Sequence, residues 1–95
     1  MTYLDVPSSP SRFAWRHELA DRAELHGWRV IAMGADWDAD MLLIRRPRII
    51  WLFAEPDRGR LSAPRLAALL ELRTCRQEAY VLRPSETETV DRLLS

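Results

Sequence analysis

Two apolar rhythms alternate along this chain of 95 residues, one with a helical repeat and one with the repeat of two that a strand needs. Residues 1–10 carry neither and read as a loose leader. Ser9 before Pro10, or Ser11 one step later, supplies an N-cap. From there to His26, Trp15, Leu19, Ala20 and Ala23 recur at helical spacing, and Glu18 pairs with Arg22 on the other side. Gly27 stands where such a helix stops. Trp28 to Met33 reads as a strand ending at Gly34. The acidic stretch Asp36-Trp37-Asp38-Ala39-Asp40 leads into the apolar run Met41 to Ile44. Arg45-Arg46-Pro47-Arg48 reads as a turn, because Pro47 cannot pair in a central strand. Ile49 to Glu55 is the next strand, and the two apolar segments make a hairpin.

Pro56-Asp57-Arg58-Gly59 breaks that strand. Ser62 caps a second helix with Leu66, Leu69, Leu70 and Arg73 on one face. Ala79 to Leu82 is a short strand, and Ser85-Glu86-Thr87-Glu88 a capping box opening a last helix through Val90, Leu93 and Leu94. The predicted order is α-β-β-β-α-β-α, an α/β fold whose one β-α-β crossover makes a small mixed sheet.

Composition narrows the picture. A chain of 95 residues with 47% apolar content builds one domain, expected over 11–95. Its formal net charge is zero, and all 14 basic residues are Arg, so no ammonium group is available to activate a nucleophile. The neutral balance argues against a broad polyanion-binding field and leaves local patches open. Lone Cys75, a start without a signal-peptide pattern and a longest apolar run of six residues lead us to expect a soluble cytoplasmic protein with no membrane partner.

Several local sequences carry a family resemblance. Ala23-x-x-x-Gly27-Trp28, Ala39-Asp40-Met41-Leu42-Leu43-Ile44, Gly59-Arg60-Leu61-Ser62 and Tyr80-Val81-Leu82-Arg83-Pro84-Ser85 follow one another along residues 12 to 94. Together they resemble the VRR-NUC branch of the PD-(D/E)XK nucleases. That resemblance implies a restriction-endonuclease-like core, with a metal-binding Asp followed by Glu-x-Lys on the next strand. Asp40 keeps the Asp, whereas Phe53 falls where the Glu is expected and Glu55 where the Lys is. Arg12 falls near the acidic position of helix one, and Arg65 at the Gln after the Leu-Ser turn.

Phosphodiester hydrolysis with Mg²⁺ needs oxygen ligands converging on one cation and positive charge near the reacting oxygens. The resemblance with these departures implies a catalytically degenerate nuclease-like domain with no cofactor. Its former substrate face would bind nucleic acid or a protein of a DNA-processing or defence system. Arg45, Arg46, Arg48, Arg58, Arg60 and Trp37 are the expected contacts, provided that the two arginine-bearing turns lie near one edge. Trp37 would stack on a base or pack against a protein, whereas Trp28 and Trp51 are expected to be buried. Small members of the family are frequent in phages and mobile elements, and some resemble homodimeric junction-cleaving enzymes, so a homodimer is also implied.

Two alternatives stay open. In one, Asp40 and Glu55 share Mg²⁺ or Mn²⁺ in an active structure-selective nuclease, because residues 53 and 55 lie on one strand face. Asp36 and Asp38 would assist, and Arg58 or Arg60 would supply charge. In the other, the domain is a non-enzymatic subunit of a larger assembly. Other chemistries fail on spacing. Asp36-x-Asp38-x-Asp40 begins like a calcium loop, but Met41 and Pro47 occupy the positions of its Gly and final Glu. His17, His26 and Cys75 do not make a zinc site, and the two His are expected on a helix surface. Gly27, Gly34 and Gly59 are too far apart to cradle phosphate.

Overall fold

The computed structural model describes residues 12–34, 37–55 and 60–95. The expected leader, the Ser9 and Ser11 caps, Asp36, Arg58 and Gly59 lie outside them. The elements are α1 (Arg12–Leu25), β1 (Arg29–Ala32), β2 (Met41–Arg45), β3 (Arg48–Ala54), α2 (Ala63–Thr74), β4 (Glu78–Leu82) and, after a single 3₁₀ turn at Pro84–Glu86, α3 (Thr87–Leu94). This is the predicted order, in an α/β fold with one small mixed sheet. Strands β1, β2 and β3 form an antiparallel meander, and α2 carries the chain across to β4, which pairs parallel to β3. No helix among the described residues is long and apolar enough to cross a membrane.

Strand alternation divides the core into two layers. Ile50, Leu52 and Ala54 face α1 and α3, meeting Trp15, Leu19, Ala23, Val90 and Leu94. Phe53 and, on β4, Ala79 face the other way, packing with Leu69 of α2 and Ala39. Indole N–H groups pin the first layer: Trp15 donates to the Leu82 carbonyl and Trp28 to that of Leu94, each at 2.8 Å. Gly27, at φ +85°, takes the left-handed conformation that ends α1, where any other residue would be strained. Arg22 pairs with Glu18 as predicted and also reaches Asp91, tying α1 to α3. His26 adds a contact to Asp91, while His17 is exposed and edge-on to Phe13.

Three expectations are corrected. Of the expected α2 stripe, Leu69 alone is buried, and Leu66 and Leu70 are 46% and 52% exposed. The helix is rotated so that Arg65, Ala68, Leu69 and Leu72 approach the sheet. The capping box lies two residues early: the Glu86 carboxylate accepts the Arg83 N–H at 2.9 Å, because the chain passes through the 3₁₀ turn before α3 begins. Trp51 is half-buried where burial was expected, lying in the layer that faces α2 and stacked on the exposed Trp37.

Truncating the first layer should be costly. Leu19→Ala is expected to lower unfolding free energy by about 2–5 kcal/mol, measured by urea denaturation. Trp15→Phe, which deletes one buried hydrogen bond, is expected to cost about 1–2 kcal/mol.

Candidate functional site

The site lies where β2 begins and β3 ends. Asp40 is held there by backbone: its N–H donates to the Leu52 carbonyl at 2.9 Å and its carbonyl accepts from Met33 at 3.1 Å. This fixes its carboxylate between α1 and α2, at 1% residue exposure. Oδ2 accepts the Ala54 N–H at 2.7 Å and a hydrogen bond from the Arg65 Nη2. Oδ1 lies 3.1 Å from Arg16 Nε, an ion pair poorly aligned as a hydrogen bond. Arg16 also donates to the carbonyls of Asp40 and Met33, and Arg65 to those of Asp38 and Ala54. Two guanidinium groups, one from each flanking helix, therefore enclose one buried carboxylate.

Burial of a lone carboxylate is prohibitive, so such a group is kept only with paired, hydrogen-bonded countercharge. Arg65 supplies it from the first turn of α2, where Ser62 caps the helix with its hydroxyl accepting the Arg65 N–H. The Arg65 guanidinium also lies 5.7 Å from the centroid of the fully buried Phe53 ring. The aromatic face at the expected metal-ligand position thus meets an organic cation.

Glu55, equally buried at 2% exposure, belongs to a second clamp. Its carboxylate accepts from Arg83 Nε at 3.1 Å and Nη2 at 2.6 Å, while its N–H donates to Leu82. Asp40 lines clefts with Arg16, whereas Glu55 lines one with Arg60, Leu61, Leu66 and Val81. A divalent cation needs several open oxygen ligands. Both Asp40 oxygens already face guanidinium or N–H groups, and Glu55 is bound to its own arginine, so these residues do not suit Mg²⁺ or Mn²⁺. Among the described residues no cluster of three His, Cys, Asp or Glu is arranged to hold a metal.

The expected contact residues are dispersed. Arg45 donates to the carbonyls of His26, Leu94 and Ser95 and lies 4.7 Å over the Trp28 ring, so it caps the end of α3. Arg48 forms a bidentate pair with Glu78 at 3.0 and 2.6 Å. Arg46 and Arg60 are exposed. Arg45, Arg46 and Arg48 lie at one end of β3 and Arg60 beyond the other, roughly 20 Å away at strand rise, so these four described guanidinium groups do not form one patch. Trp37 is 58% exposed and stacks on Trp51, with centroids 6.1 Å apart. The roles of Arg16 and Arg83 escape sequence reasoning. The one signal was two carboxylates beside apolar strands in a chain whose only fixed cations are arginines.

The Arg48–Glu78 pair gives a pH test. Hydrogen bonding from Arg48 holds the Glu78 carboxyl below its ordinary range. A depressed folded value contributes stability above the unfolded pKa that is lost as pH falls through the folded one. The stability gap between wild type and Glu78→Gln should therefore shrink as pH is lowered from about 6 to about 3, read from urea midpoints. A gap independent of pH would remove the pair from the account.

Compared with protein-family models, with curated proteins and with solved structures, the chain matches none of them.

Proposed function

We propose that this chain is a non-catalytic domain built on a restriction-endonuclease-like core, and that it works by binding a protein partner, such as a component of a DNA-processing or defence system. The observation that carries the reading is the enclosure of Asp40 by Arg65 and Arg16, above the Phe53 ring. Guanidinium groups meet the electrostatic need that a divalent cation meets in a metal nuclease, but they supply no bound water to ionise. The β-meander followed by a helical crossover to a parallel strand supports the core assignment. The absence of Glu-x-Lys, with Phe53 and Glu55 in those places, supports the loss of chemistry.

A protein partner is favoured over nucleic acid because Arg45 and Arg48 are committed to internal partners and the formal net charge is zero. One observation favours nucleic acid as a second reading: Trp37 presents an exposed ring on which a base could stack.

The test is direct. Purified protein with Mn²⁺ or Mg²⁺ and branched or single-stranded DNA is expected to give no cleavage, and calorimetric titration with Mn²⁺ no saturable binding. Metal-dependent cleavage that disappears in a folded Asp40→Asn variant would overturn the reading. Salt-dependent oligonucleotide binding without cleavage would move it to the nucleic-acid form.

A further inference from the structure

The cleft beside Trp37 has a chemistry of its own. It measures about 200 Å³ and lies between the loop before β2, the outer part of β3 and α2. Trp37, Trp51 and Phe53 give it aromatic surface, Ala68 and Leu72 of α2 an apolar wall, and Asp38 and Glu71 its carboxylates. The Trp37 and Trp51 rings are inclined at 30° with centroids 6.1 Å apart, and Trp37 remains 58% exposed. Asp38 and Glu71 are exposed, and neither carboxylate has an ion-pair partner among the described residues. The nearby cation, Arg65, pairs with Asp40 and donates from Nε to the Asp38 backbone carbonyl at 3.0 Å.

Each component selects for one kind of ligand. Indole faces carry negative quadrupole charge and attract cations within about 6 Å of the ring centroid. Two carboxylates add long-range attraction for a cation and repel phosphate. Apolar walls favour a cation that carries hydrocarbon over a hydrated metal ion, since burying the hydrocarbon releases water.

We propose that this cleft binds an alkylammonium group, namely the lysine or methylated lysine side chain of a partner protein. Trp37 and Trp51 supply the cation–π surface, and Asp38 and Glu71 the countercharge. None of the 95 residues is a lysine, so no side chain among them can fill the cleft in this way. The proposal deepens the protein-binding reading above, and rests on it only for the identity of the molecule carrying the ammonium.

The experiment uses the full chain, with tetramethylammonium chloride as probe and sodium chloride as ionic-strength control. Binding is followed by tryptophan fluorescence and by the indole N–H resonances in NMR. Saturable shifts of the Trp37 and Trp51 resonances are expected with tetramethylammonium and not with sodium. Trp37→Ala should weaken binding by about fivefold or more, and Glu71→Gln should weaken it while leaving unfolding midpoints close to wild type. A lysine-centred peptide should compete with the probe, and its norleucine counterpart should not. Equal responses to tetramethylammonium and sodium, or unchanged affinity in both variants, would overturn the proposal. Metal-dependent DNA cleavage would defeat the non-catalytic reading and leave this titration unaffected, so the two failures are distinguishable.

Discussion

A carboxylate buried where two strands and two helices meet must have countercharge, and the rest of this structure is arranged around supplying it. Asp40 is fixed by backbone pairing to Leu52 and Met33, so it cannot swing out to solvent without breaking the sheet margin. Arg16 therefore extends from α1 and Arg65 from α2. Together they join the two faces of the sheet through a single anion. The same arginines donate to the carbonyls of Met33, Asp38, Asp40 and Ala54 at an irregular strand end.

This constraint explains the orientation of α2. A helix docked by its Leu66, Leu69, Leu70 and Arg73 stripe would bury more leucine, but would carry Arg65 away from Asp40. The observed rotation keeps Arg65 inward and leaves Leu66 and Leu70 exposed. Apolar burial lost at two leucines is worth a few kcal/mol, of the order of 1.5–3 for each fully buried side chain. Leaving a buried carboxylate without a partner costs about 3–5 kcal/mol. Comparable magnitudes of this kind make the outcome depend on the ion pair as much as on the apolar pattern. The rotation also brings Ala68 and Leu72 alongside Trp51 and Phe53, forming the wall of the aromatic cleft.

Much of the fold was legible because period and punctuation agree. Trp15, Leu19 and Ala23 share one helical face and are all buried, and Gly27 ends that helix. Alternation along Ile50 to Phe53 separates the two layers, and the crossover follows from a helical segment between two strands. The site was less legible. Asp40 stood out as an acidic residue at the start of an apolar strand, but its partners Arg16 and Arg65 lie 24 and 25 residues away along the chain, and nothing local to either announces the pairing. Arg45 and Arg48 looked like a basic surface because a turn with three arginines has the same sequence whether it is solvated or tied to a helix end and a neighbouring strand. Long-range ion pairs depend on packing, which short-range periodicity does not encode.

The central claim is that the Asp40–Arg65 contact is structural. A double-mutant cycle with Asp40→Ala and Arg65→Met, unfolded in urea in the presence of a chelator, tests it most directly. Each single change should cost about 3–5 kcal/mol. The double change should cost less than the sum of the two, by roughly 1–3 kcal/mol of coupling. Additive effects, or an Asp40→Ala variant more stable than wild type, would contradict it, since an Asp40 held ready for a metal would gain stability when its charge is removed.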